Sequence, residues 1–331
     1  MRPFVSVIIP VFNGAFYIQK CIEAITQQSY PHDRYEIIVV DGMSTDETVA
    51  IVEKYAPDVR IISNESRHRG PALNKGIKNA RGDIIVRVDV RNIIPMTYLE
   101  ACVETLITLK ADNIGGSIRP LSTNPVQHAI GKAMSHPFGV GNALFRLGKS
   151  GFADTAYLGV FPKELFSRIG YFDESSPLMS EETDMNYRIR ASEGTVYCNS
   201  NIIVGYYPRE TFRALIRLYY RYGGARAMLV LKHKHFSSFR QLVPLVYALL
   251  FSVTGIGSFF HVFFLITFVV LLGVYVCSAF IAAFHASRKE TYTHIPLVMC
   301  SFFCMHMPWA FGFFYVLFIN GLFKRNINIE A

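Results

Sequence analysis

Residues 35–46 read Tyr35-Glu36-Ile37-Ile38-Val39-Val40-Asp41-Gly42-Met43-Ser44-Thr45-Asp46, a β-branched run that stops at an aspartate and passes straight into a polar turn. An earlier run, residues 4–10, also ends in a polar turn, Pro10-Val11-Phe12-Asn13. Residues 59–63 and 84–89 are two more such runs, the last closing on Asp89. Between them fall segments of helical period at about 15–28, 45–55 and 70–80. Strand and helix in alternation predict an α/β fold with a mostly parallel central sheet and helices on both faces. Ser44 followed by Glu47 reads as a capping box, so the second helix is expected directly after Asp41. Ligands of open α/β sheets bind at the carboxyl ends of the strands. Those ends carry Asn13, Asp41 and Asp89, which are expected to converge on one crevice.

Length and composition add a second part. A chain of 331 residues suits one α/β domain plus a membrane segment. With 51% hydrophobic residues and a mean hydropathy of +0.27 it is too apolar for an ordinary soluble enzyme, and the excess lies after Gln241. The first twelve residues lack the basic start and small-residue cleavage site of a secretory signal, and residues 4–10 are read as a buried first strand. Cysteines at 21, 102, 198, 277, 300 and 304 show neither C-x-x-C nor paired His spacing. That argues against a zinc site or disulfide framework and fits a reducing cytosol. Cys300 and Cys304, one turn apart, read as small apolar residues of a membrane helix. The net charge of +8 does not point to nucleic acid, because the basic residues cluster beside hydrocarbon and no recognition motif occurs.

Three regions follow: a cytosolic domain over 1–208, a basic amphipathic juxtamembrane segment over 209–241, and about three hydrophobic segments over 242–331. Arg213, Arg217 and Arg221 recur one turn apart, followed by Arg226, Lys232 and Lys234. Such a segment is expected in the membrane interface, attracted to anionic headgroups by about 1 kcal/mol per basic residue. A sharper reading gives part of it the diphosphate of a lipid-linked acceptor. The first hydrophobic stretch breaks at Gly255-Ile256-Gly257. Arg288 and Lys289 favour a cytoplasmic loop and three crossings; Lys324 and Arg325 then fall outside, unless the first segment is re-entrant. His306, inside the last segment, is either functional or a helix-to-helix hydrogen bond.

The crevice has no G-x-G-x-x-G and no P-loop, so the common phosphate cradles are absent. A carboxylate at a strand end can instead accept from a pyrimidine N–H or ribose hydroxyls, and a later one can hold a divalent cation against a diphosphate. Taken singly, each aspartate reads equally well as a turn residue or helix cap. The ordered set is more specific than its members.

Pro10-Val11-Phe12-Asn13, Val39-Val40-Asp41-Gly42-x-Ser44-x-Asp46-x-Thr48, Gly70-x-x-x-Asn74-x-Gly76, Gly82-Asp83-Ile84-Ile85-x-x-x-Asp89 and Gly170-Tyr171-Phe172-Asp173-Glu174 occur in that order. Over about residues 4–195 the chain thereby resembles family-two glycosyltransferases with the GT-A type nucleotide-binding fold. Val86-Arg87-Val88-Asp89, Gly139-Val140-Gly141-Asn142, residues 154–161 and Asn186-Tyr187-Arg188 are similar to the succinoglycan-type branch that builds exopolysaccharides. The resemblance implies that Pro10, Phe12 and Asn13 line the nucleotide pocket and that Asp41 reads the pyrimidine. It adds Asn74 to the nucleotide-sugar site and sets Asp89 against the diphosphate through Mg²⁺ or Mn²⁺. The base comes from the acidic cluster Ser180-Glu181-Glu182-Thr183-Asp184, in which Glu182 holds the base position, Glu181 adjoins it and Asp184 is the reserve. An acid-loaded helix start complementing the macrodipole is the non-catalytic reading of this cluster.

Two departures stand out. The family's Asp-x-Asp, or Asp-x-His in the closer branch, is here Asp89-Val90-Arg91, and arginine cannot ligate a cation. Either Arg91 neutralises the diphosphate with Asp89 orienting it, or a metal stays bound through Asp89, phosphates and water, which is the expectation here. The usual Glu-Asp of the acidic cluster is Glu181-Glu182, and the extra methylene shifts the carboxylate in a site where position matters.

The activity implied is inverting transfer of a sugar, with a leaning to UDP-linked donors, to a polyprenyl-diphosphate-linked saccharide in exopolysaccharide or surface-glycan synthesis. It implies a multi-pass plasma-membrane protein with a cytoplasmic catalytic domain. Its partners are a nucleotide sugar, a lipid-linked saccharide, membrane lipids and other polysaccharide-assembly proteins. Processive polymerisation is not expected, because Gln-x-x-Arg-Trp is absent and the only tryptophan is Trp309. Two alternatives remain: a polyprenyl-phosphate sugar synthase, and a catalytically silent nucleotide-sugar-binding scaffold, the latter motivated by the altered motifs.

Overall fold

The computed structural model describes residues 2–174, 181–234, 241–288 and 292–323. Ser180, residues 235–240, Lys289, Lys324 and Arg325 lie outside them. In chain order the elements are β1 (Val5–Val11), α1 (Ala15–Thr26), β2 (Tyr35–Asp41), α2 (Thr48–Glu53), β3 (Val59–Ser63), α3 (Arg69–Asn79), β4 (Ile84–Arg87), β5 (Asn92–Ile93), α4 (Tyr98–Leu109) and β6 (Asn113–Pro120). There follow α5 (Pro125–Ala133), α6 (Pro137–Val140), α7 (Leu144–Leu147), β7 (Gly151–Phe152), β8 (Tyr157–Pro162), α8 (Leu165–Ile169), α9 (Glu181–Ala191) and β9 (Val196–Tyr206). The chain ends in α10 (Phe212–His233), α11 (Leu242–Gly257), α12 (Val262–Ser287) and α13 (Ile295–Phe323). Two compact units result: residues 1–119 with 143–207, and residues 120–142 with 208–331.

In the first unit one nine-stranded sheet runs β3-β2-β1-β4-β8-β6-β9-β5, with β7 added against β9. The pairs β3–β2, β2–β1 and β1–β4 are parallel, so Val11, Asp41, Ser63 and Arg87 end their strands at the same edge. Beyond β4 the sheet turns antiparallel, β8 against β4 and β6, and β5 and β7 against β9. The sheet is therefore mixed, and the expectation of a mostly parallel sheet holds for its first half only. Period-two alternation gives it two apolar faces. Val5, Val7, Ile9, Ile37 and Val39 pack on one side with α1 and α4; Ile8, Ile38 and Val40 pack on the other with α3, α8 and α9. Gly76 lets α3 approach β1 closely, since a Cβ there would stand 2.5 Å from Ile8 Cγ2.

The capping box is a correction. α2 starts at Thr48, three residues later than a Ser44 cap requires, and the side chain of its N-cap residue, Glu47, makes no capping hydrogen bond. Ser44 Oγ instead accepts from the Asn13 N–H at 2.9 Å, because the two strand-end loops bond to each other before the helix begins.

The second unit is helical. α11 ends at Gly257, where the break was expected, and its 16 residues span only about 24 Å, short of a hydrocarbon core of about 30 Å. Among the described residues, Val262–Ser287 and Ile295–Ile319 are the two helices long and apolar enough to cross a membrane. Two such helices are found, rather than about three spans. α10 does not lie free as a surface helix: it packs along α13, backbone against backbone. A Cβ on Gly223 would stand 1.8 Å from the Trp309 carbonyl oxygen, and one on Gly312 2.0 Å from that of Tyr220. His306 Nε2 lies 2.9 Å from the Phe138 carbonyl oxygen and Nδ1 3.0 Å from the Tyr275 hydroxyl. A carbonyl only accepts, so Nε2 donates to it, and the neutral ring accepts from Tyr275 at Nδ1. That is the helix-to-helix hydrogen-bond reading of His306.

Candidate active site

The carboxyl edge of the parallel strands is built by interlocked loops. Asn13 takes a left-handed backbone, φ 50°, a conformation asparagine tolerates better than most side chains. Its Oδ1 accepts from the Thr45 N–H at 2.8 Å, Gly14 N–H donates to Thr48 Oγ1 at 2.9 Å and Ala15 N–H to Asp46 Oδ2 at 3.1 Å. These bonds fasten the loop after β1 to the loop after β2. Asp41, the last residue of β2, is buried; its Oδ2 accepts from Ser44 N–H at 3.0 Å while its Oδ1 has no donor among the described residues. A buried acceptor left open in this way has a lone pair available to a donor from outside the fold. Phe12 is 46% exposed with the Arg67 guanidinium 5.8 Å from its ring centre, and Pro10 lies half-buried within β1. Together they offer an aromatic face beside the open Asp41 oxygen.

At the end of β4 the acidic residues gather round arginine. Arg87, 2% exposed, forks onto Asp89 through Nε at 2.9 Å and Nη2 at 3.1 Å. Its Nη1 lies 3.3 Å from Glu182 Oε2 and its Nη2 3.6 Å from Glu181 Oε1. Arg69, at the start of α3, comes within 3.2 Å of Glu181 and 3.9 Å of Asp89. Glu181 and Glu182 open α9, where unsatisfied N–H groups favour acids. Burial disfavours the Asp89 carboxylate, but Arg87 and then Arg69 outweigh it and hold the group at about 2. On Glu182 burial prevails: opposed by Arg87 and Arg69, and reinforced by Asp89 and Glu181, it pushes that carboxyl up to about 7. Two neighbouring carboxylates thus differ in kind, one fixed as an anion and one poised to exchange a proton near neutrality.

The remaining expected site residues take other positions. Asp184 is turned into the fold, accepting from Arg188 Nε at 2.8 Å, while Arg188 also donates to the carbonyls of Ile169 at 2.7 Å and Tyr171 at 2.8 Å. Asn74 is buried and holds the turn before α9: its Nδ2 donates to Phe172 O at 2.8 Å and Glu174 Oε1 at 2.7 Å, and its Oδ1 accepts from Phe172 N–H at 2.9 Å. Arg91 lies 4.5 Å from the Tyr17 ring centre and donates to Tyr207 O at 3.4 Å. Arg87 and Arg69, which organise the acids, carried no role in the sequence reading. The signal for Arg87 is an arginine at the end of the apolar run Ile84-Ile85-Val86, a place that demands an acidic partner.

Among the described residues no group of three His, Cys, Asp or Glu forms a metal cage. The site does fit a divalent cation held by one protein carboxylate. Asp89 stays ionised and its side chain is 21% exposed, so it can share such an ion with phosphate oxygens and water.

The chain is similar to several known proteins in sequence and fold. The model described as Glycosyl transferase family 2 matches residues 6–166. A Methanococcus voltae protein, dolichyl N-acetyl-alpha-D-glucosaminyl phosphate 3-beta-D-2,3-diacetamido-2,3-dideoxy-beta-D-glucuronosyltransferase, is 25% identical over 99% of each chain. The succinoglycan biosynthesis protein ExoA of Rhizobium meliloti (strain 1021) is 26% identical over 93% of each. The solved mannosyltransferase PcManGT from Pyrobaculum calidifontis, in complex with GDP-Man and Mn²⁺, is alike in fold, with a TM-score of 0.59 at 18% identity over 98% of this chain and 88% of that one.

Proposed function

We propose that this chain, whose residues 6–166 match the model described as Glycosyl transferase family 2, transfers a sugar with inversion from a nucleoside-diphosphate sugar, UDP-linked, to a saccharide carried on a polyprenyl diphosphate. The observation that carries this reading is the pairing of a fixed anion, Asp89, with a proton-exchanging acid, Glu182, across one buried guanidinium. The Asp41 oxygen without a donor among the described residues supports it, because a pyrimidine N–H would complete that atom.

In this mechanism the nucleobase lies on Phe12 and donates to Asp41, and the diphosphate lies towards Asp89. A divalent cation held by Asp89 would supply positive charge to the departing diphosphate. Glu182 accepts the proton of the acceptor hydroxyl as that oxygen attacks the anomeric carbon and the bond to the diphosphate breaks. A carboxyl poised near 7 suits a general base at neutral pH. Glu182 then releases that proton to water, which restores the base.

That the acceptor is lipid-linked is supported by the Methanococcus voltae relative, named for a sugar carried on dolichyl phosphate, and by the apolar helices α12 and α13; the diphosphate linkage is our proposal. We place the protein in the plasma membrane with its first unit on the cytoplasmic side, where nucleotide sugars are made, and its product in exopolysaccharide or surface-glycan synthesis.

The test is nucleoside diphosphate release by full-length protein in nanodiscs, using UDP- and GDP-sugars, a membrane lipid extract, and Mg²⁺, Mn²⁺ or chelator. Glu182→Gln is expected to lower kcat by about 10³-fold while donor binding persists, and Asp89→Ala to weaken both turnover and the metal response. A single sugar placed directly on a lipid phosphate would favour the polyprenyl-phosphate sugar synthase. Donor binding without turnover at any metal concentration would leave the scaffold.

A further inference from the structure

We infer that Arg87 is a positioning residue of the transfer site, a single buried guanidinium that fixes the donor-side carboxylate Asp89 and the acid Glu182 relative to each other. The inference rests on the roles proposed above for those two acids. Arg87 closes β4 opposite Ile8 of β1, so its Cα is set by the central sheet. An arginine 2% exposed at such a place persists only with its charge fully opposed.

Its partners come from two separate elements. Nε and Nη2 hold Asp89 just beyond the strand, at 2.9 and 3.1 Å, and Nη1 faces Glu182 on α9 at 3.3 Å. The two contacts differ in kind. Asp89 is held by two aligned hydrogen bonds, whereas Arg87 Nη1 makes no aligned hydrogen bond with any acceptor among the described residues. Glu182 is thus held by this guanidinium through charge rather than through a shared proton. A base needs that arrangement, because the lone pair that will take the acceptor's proton must not be spent on a fixed donor. Glu181, 6% exposed in its side chain, stands against both Arg87, at 3.6 Å, and Arg69, at 3.2 Å. It balances the two cations and accounts for a second glutamate beside the base.

A planar fork can serve two carboxylates in set directions; an ammonium point charge cannot. Charge alone would therefore be restored by lysine, and geometry would not. The experiment compares Arg87→Lys with a compensated variant, Arg87→Gln with Glu181→Gln, which removes one cation and one buried acid together. Full-length proteins in nanodiscs are assayed for kcat and for donor KM, and their thermal midpoints are recorded. Arg87→Lys is expected to lose about 100-fold in kcat with a smaller change in donor KM, the scale of a displaced catalytic group. The compensated variant is expected to melt near the wild type and remain as slow. Retention of kcat within about threefold by Arg87→Lys overturns the inference, since charge then suffices. Recovery of kcat in the compensated variant, or failure of both variants to fold, also overturns it, by assigning Arg87 to charge balance or to the fold. Glu182→Gln separates the two claims. If it stays active the reading of the site fails; if it is inactive while Arg87→Lys is active, only the present inference fails.

Discussion

Glu182 and Asp89 show how one environment can give two carboxylates opposite tasks. Burial pushes Glu182 up to about 7 against the pull of Arg87 and Arg69, whereas for Asp89 the two arginines prevail over burial and hold it at about 2. The sign of the pH dependence follows. A base must be deprotonated, so kcat/KM is expected to reach a plateau above about pH 7 and to fall tenfold per unit below it. Asp89 stays charged throughout that range and adds no second acid limb. An acid limb near 4 to 5 would place the base on another carboxylate. At this scale the sequence was partly legible. The strand-end acids and the acidic cluster at the start of α9 could be read from their order alone, because spacing and turn chemistry are local. The difference between Glu182 and Asp184 could not. It depends on Arg188, which takes Asp184 into an ion pair with the turn at 169–171, a contact between residues whose approach only the folded chain sets.

Among the elements, the segment before α9 carries the most consequence for its length. Asn74 on α3 bonds both backbone groups of Phe172, whose ring is buried against Phe161 and Phe166. One helix thereby fixes where the chain turns before the acidic cluster. Asn74→Ala would leave the buried N–H and carbonyl of Phe172 without those partners, a loss of about 2–4 kcal/mol. We expect an apparent melting midpoint several degrees lower and a reduced kcat, with donor affinity changed less. Equal losses in donor affinity and kcat would instead make Asn74 a ligand contact, as its place in the Gly70-x-x-x-Asn74-x-Gly76 motif first suggested. Strand positions were readable from β-branched runs for the parallel half of the sheet. The antiparallel half was not readable, because β5 and β7 are two residues long and gain their strand character from β9 rather than from their own sequence.

For the whole molecule, the start of the basic segment places a natural cut at residue 208, yet compactness draws the boundary elsewhere. Residues 120–142 belong with the C-terminal helices. α5 buries Ala129, Ile130 and Ala133, it packs against α13, and Gln127 Nε2 donates to the Pro208 carbonyl at 2.8 Å. Sequence pattern could not reveal this, because α5 reads as an ordinary short amphipathic helix and the residues that cover it lie far along the chain. A fragment ending at residue 208 would keep α5 and lose its cover, exposing a contiguous apolar face of the kind that drives association. We therefore expect residues 1–208 to sediment as aggregate or bind a hydrophobic dye strongly, whereas the full chain extracts in detergent as a dispersed particle. Replacing residues 120–142 by a flexible linker in the same fragment should recover solubility, since the remaining residues are those of the first unit. A soluble, dye-silent 1–208 fragment would mean that α5 is stable without the C-terminal helices, and that the start of the basic segment marks the boundary.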